Sequence, residues 1–148
     1  MESIIQAVVN VSMRWVHVFS AITLLGGMVY ARFAAAPAAR SLSVDQRSEL
    51  ADRAAVAFRP WVIVSILALL LSGSYTLVMK SNIAPHYPLW FGLKLLLALH
   101  VIAVSYLLTR TSIVETKRNR MMLGTVVSGG LVVLLSAHLR YISNWMTP

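Results

Sequence analysis

The chain has 148 residues, 58% of them hydrophobic and only 12% charged, well above the ~45–50% apolar share of soluble domains. Cysteine is absent, which excludes disulfides, thiolate metal sites, iron–sulfur clusters and a cysteine nucleophile. The formal charge of +8 would suggest nucleic acid in a soluble protein. Here the basic residues gather at the ends of apolar runs, so topology and anionic lipid explain them and no nucleic-acid partner is expected. Any redox or metal chemistry must then use His, Met, Lys, Tyr or backbone groups.

The first apolar run, Ile4 to Ala36, is too long for one untilted crossing of a ~30 Å hydrocarbon layer. Arg14 and Trp15 set the boundary, giving a span over 15–33 and an interfacial lead-in helix over Met1 to Met13. The run exceeds the ~7–15 residues of a signal-peptide core, so it is read as a span. Pro37 is expected to end it. Ser43 and Gln46 have the spacing of a capping box, with Asp45 and Glu49 early and Arg53 and Arg59 late, which predicts a surface helix over 44–58 leading into the second span. That span, 61–79, carries Trp61, Ser65, Ala68, Ser72, Tyr75 and Met79 at alternating spacings of four and three, a seam of mostly small and polar side chains for packing on other helices.

The connection SNIAPHYP, with His86, leads to the third span, 89–109, which contains Lys94 and His100. An ionisable group inside a span costs roughly 2.5–3.5 kcal/mol on insertion scales and calls for a reason. The polar TSIVETKRNR connection precedes the fourth span, 121–139, and Arg140, Tyr141 and Trp145 form an interfacial belt beyond it. The prediction is an all-α integral membrane four-helix bundle in a lipid bilayer, forming a single domain. Arginines and lysines crowd the connections between spans one and two and between three and four, while Lys80 is the one basic residue between two and three. The positive-inside rule then puts both termini on the outer side.

With that orientation, the helical rise puts His17 ~4–5 Å inside the outer boundary, His138 at a similar depth, Lys94 ~9 Å and His100 ~18 Å below Pro88. The first and fourth helices of an up-down bundle are neighbours, so His17 and His138 at matched depth suit a haem iron with two axial ligands. Arg14, Arg140 and Lys94 are candidates for its propionates. Alternative pairs are His17 with His100, or His100 with Lys94. Six residues separate Lys94 from His100, which sets them ~120° apart around the helix, and the smaller face of Ala98, Val101 and Ser105 favours Lys94 inward. A copper site would instead use Met13, His17, His86 and His138, with Met79 and Met146 nearby, since thioethers and imidazoles suit Cu(I). A third reading is a cofactor-free subunit that packs in a homo-oligomer or a larger membrane complex through the second-helix seam.

RWVHVFSAITLLGGMVYARF, PLWFGLKLLLALHVIAVSYLL and GLVVLLSAHL resemble helices of the copper-resistance D proteins and of the related HemJ-type protoporphyrinogen oxidases. The resemblance implies a bacterial cytoplasmic-membrane protein that binds haem b and acts in electron transfer or tetrapyrrole redox chemistry, with copper handling as the alternative. The HemJ-type first-helix histidine and third-helix lysine match His17 and Lys94, and Arg32 corresponds to an arginine after the first span. The HemJ segment Leu-Pro-Arg-Leu-Phe-Val-Tyr-His is largely missing, and Asn-Glu-Val-Pro before the last helix is replaced by NRMMLGTVV, so the resemblance reaches further for haem binding than for the oxidase reaction.

Overall fold

In the computed structural model the backbone is described for residues 2–79, 87–111 and 113–145, and the side chains for 3–79, 89–111 and 113–139. Four long helices dominate: α1, Glu2–Tyr30; α2, Val44–Val78; α3, Tyr87–Leu107; and α4, Glu115–Trp145. Each is long and apolar enough to cross a membrane, and no strand occurs among the described residues.

The helices run past the boundaries that hydropathy alone suggests. α1 is continuous through Arg14 and Trp15, so residues 2–13 are the first turns of the span's own helix. Pro37 does not stop the chain's helical path. A π-helical turn over Ala31–Ala35 precedes it, with the Ala36 N–H bonding back to the Ala31 carbonyl, and one further turn follows before Leu42 becomes extended. The wider π turn relieves the clash of a proline ring with the preceding turn. Ser43 then caps α2 as its sequence signals: its hydroxyl accepts from the Gln46 N–H at 3.3 Å, and the Gln46 side chain accepts from the Ser43 N–H at 3.1 Å. α2 is one helix of 35 residues that includes Pro60, ~52 Å long at the helical rise. Its first turns project beyond a hydrocarbon layer. Likewise Lys117, Arg118 and Arg120 belong to the first turns of α4 and not to a loop.

α1 packs closely on α2, and α3 on α4; α1 also touches α4, and α2 touches α3, which closes the ring. At the joint between the hairpins, a Cβ on Gly129 would overlap the Leu25 side chain, so glycine there sets the α1–α4 approach. The interior is small and hydroxylic. Leu24 and Val62 are buried beside Ser20, Ser65, Ser72, Ser105 and Thr125, while Leu71, Leu96, Val78 and Leu134 face outward. This distribution is what lipid demands: aliphatics gain nothing by leaving the hydrocarbon, so close approach and hydrogen bonds hold the helices together. Ser20, Ser72, Thr125 and Ser136 each donate to the carbonyl four residues back on their own helix, as isolated hydroxyls in spans do.

Candidate functional site around His17

One face of α1 carries Gln6, Asn10, Met13, His17, Ser20 and Leu24 at alternating spacings of four and three, a period that keeps one stripe against a neighbouring helix. That neighbour is α2. Near its end Tyr75 donates its hydroxyl to Asn10 Oδ1 at 2.7 Å, and Gln6 Nε2 donates to the Tyr75 oxygen at 2.7 Å. These bonds draw the supposed lead-in segment onto α2. The sequence reading treated Gln6 and Asn10 as interfacial and missed them, although their register with His17 was the available signal.

His17 lies two turns further in, half-buried. Its Nδ1 is 2.9 Å from Ser72 Oγ, and Ser72 is fully buried. The Ser72 hydroxyl lies 2.6 Å from the Ala68 carbonyl, to which it donates. With that proton committed, Nδ1 is assigned as the donor to Ser72, so Nε2 carries the free lone pair. The ring also lies close to the α2 backbone at Gly73, where a Cβ would be in ordinary contact with His17 Cε1 at 3.9 Å. Lys94 of α3 comes within electrostatic range of the imidazole. The site therefore draws on three helices: an oriented imidazole from α1, a hydroxyl anchor from α2 and an ammonium from α3. Second-partner orientation of this kind is what metal-bound imidazoles ordinarily have.

The other expected residues are placed apart from it. His138 is exposed, and its ring meets Trp90 edge-on, with centroids 5.3 Å apart and planes at 72°. His100 is exposed on α3, turned away from the interior that Val101 and Ser105 face. Arg14 is exposed and Met13 is half-buried one turn before His17. His86, Met146 and the Arg140 side chain lie outside the described residues. The contacts of the two histidines differ: His17 bonds Ser72 of α2, whereas the ring of His138 meets Trp90 of α3. Among the described residues no three His, Cys, Asp or Glu side chains converge on one point. What the described residues bring together at His17 is one imidazole oriented by Ser72, within electrostatic range of Lys94.

Comparison with protein-family models, with curated proteins and with solved structures gives no match.

Proposed function

We propose that this chain is a membrane-embedded redox protein that binds haem b through His17, in electron transfer or tetrapyrrole redox chemistry, as its resemblance to the HemJ and copper-resistance D proteins implies. The observation that carries the reading is the Nδ1 bond from His17 to the buried Ser72 hydroxyl, which orients the ring and leaves Nε2 with the free lone pair. Haem, when bound, supplies one-electron chemistry. The chain's own contribution is to hold the imidazole in one tautomer and one orientation, and to set the Lys94 ammonium where it attracts a carboxylate. The same reading puts the chain in a bacterial cytoplasmic membrane with both termini outside, supported by the arginines gathered at the end of the bundle where α1 passes to α2 and α3 to α4.

The test is an absorption spectrum of detergent-purified protein, as isolated and after incubation with haemin, before and after dithionite. A Soret band in the wild type that disappears in His17→Ala and persists in His100→Ala is expected. A colourless wild type that takes up no haemin, or a His17→Ala variant with an unchanged spectrum, would overturn the assignment.

A further inference from the structure

Towards the basic end of the bundle the helices enclose a half-open cavity of about 520 Å³, within the ~300–1,000 Å³ of small-molecule sites. Alanines of the π turn, of the turns after it and of α2, among them Ala31, Ala51 and Ala55, form much of its wall, and Gly27 and Phe58 also line it. The apolar hollow contains a polar anomaly. Ser105 is fully buried and lines it, yet its Oγ has no hydrogen-bond partner among the described residues. Ser20, Ser72, Thr125 and Ser136 turn their hydroxyls back onto their own helices; Ser105 does not. Arg47 on the same wall uses Nη1 towards Glu115 at 3.6 Å, while its Nε is buried without an acceptor. In an adjoining pocket that shares Glu115, the Arg32 Nε is buried without one too. A buried donor left unmatched costs ~1–3 kcal/mol, so two of them on the wall of the hollow and a third in the pocket beside it describe the outline of a missing acceptor.

Charge decides which kind. Arg118 is already paired with Asp52. Together with Arg32, Arg47 and Arg120, it makes four arginines around the two pockets, against the carboxylates of Asp52 and Glu115. An apolar body with an anionic head matches both the alanine wall and the surplus of arginine, and basic pockets between spans are known to take anionic lipid headgroups. We propose that this cavity binds one anionic phospholipid, its phosphate accepting from the Arg47 and Arg32 Nε–H groups, an ester carbonyl accepting from Ser105 and an acyl chain filling the alanine-lined hollow. The site is independent of the haem reading, because His17 does not line it.

The test is native mass spectrometry of the detergent-purified protein offered phosphatidylglycerol, phosphatidylcholine and palmitate in competition. A one-to-one phosphatidylglycerol adduct is expected, retained about fivefold over phosphatidylcholine, roughly the value of one arginine beside an anionic headgroup. Arg47→Gln should erase most of that preference, and Ala55→Phe, which fills the hollow, should remove the adduct. Equal retention of the two phospholipids by the wild type, a palmitate adduct in their place, or an adduct indifferent to both substitutions would overturn the proposal. The wild-type competition requires no variant to fold.

Discussion

Around His17 the polar side chains are closed on one another: Nδ1 meets Ser72, Ser72 meets the Ala68 carbonyl, and Gln6, Asn10 and Tyr75 form their own chain of bonds. At the basic end the same bundle leaves the Ser105 hydroxyl and the Arg47 Nε buried beside a hollow, and the Arg32 Nε buried in the adjoining pocket, with nothing to bond among the described residues. A polar atom buried away from water must find a protein partner or a lodged molecule. The closed end therefore reads as a device for aiming one ring, and the hollow end as a receptacle. The two ends should respond differently to deletion of a polar group, and substitutions can be ordered by how hard they press on that difference.

The largest effect is expected at the basic end, from Asp52→Ala. The Arg118 side chain is only 7% exposed and is paired with Asp52, so removal of the carboxylate strands a buried cation at ~3–5 kcal/mol. Unfolding in detergent should show a loss of this size, and Arg118→Met in the same chain should recover most of it. If Asp52→Ala unfolds like the wild type, the pair contributes nothing and the basic end is more solvated than its geometry implies.

Next in size is Gly129→Leu, at the joint that both ends share. Leu25 already occupies the space a side chain would need, so the substitution forces α1 and α4 apart at ~1–3 kcal/mol. A cysteine cross-linking or spin-label distance between α1 and α4 should lengthen while the α1–α2 distance stays fixed, since that pair packs through a different face. A change confined to α1–α2 would contradict the two-hairpin arrangement.

The sequence exposed the spans because a run of ~20 apolar residues is a direct imprint of the hydrocarbon thickness. It also exposed the α2 cap, because Ser43 and Gln46 carry the chemistry that ends a helix. The helix ends elsewhere were hidden. Hydropathy marks where the membrane stops, whereas hydrogen bonding continues through Arg14 in α1 and begins at Glu115 in α4. The α2 seam was legible at its centre, where Ser65 and Ser72 are buried, and failed at its ends, where Trp61 is 64% and Met79 54% exposed and Val62 takes the inner position. A straight helix drifts ~20° per heptad from a 3.5-residue stripe, so the two ends rotate off the contact. The same geometry explains His138. Counting residues from a boundary gives height along a helix, but partnership also needs azimuth, and the ring of His138 goes to Trp90. The cavity at Ser105 was not legible, since volume between helices depends on packing distances that no single span records.

The smallest pair of substitutions compares the two ends most directly, because it removes the same atom from each. Ser72→Ala deletes the acceptor for His17 Nδ1 and leaves that N–H unmatched, at ~1 kcal/mol of stability, within the ~0.6–1.7 kcal/mol found for hydrogen bonds between spans. In a haem-loaded sample it should also shift the Soret maximum or the midpoint potential, because the imidazole loses its orienting partner. Ser105→Ala removes a hydroxyl that has no bond to lose, so delipidated protein in detergent should be within ~0.5 kcal/mol of the wild type or slightly more stable. Thermal unfolding of both variants, with and without added phosphatidylglycerol, separates the cases. Phosphatidylglycerol should raise the midpoint of the wild type and of Ser72→Ala by the same amount and that of Ser105→Ala by less. Equal gains in all three would mean that the serine at the hollow end takes no part in holding lipid.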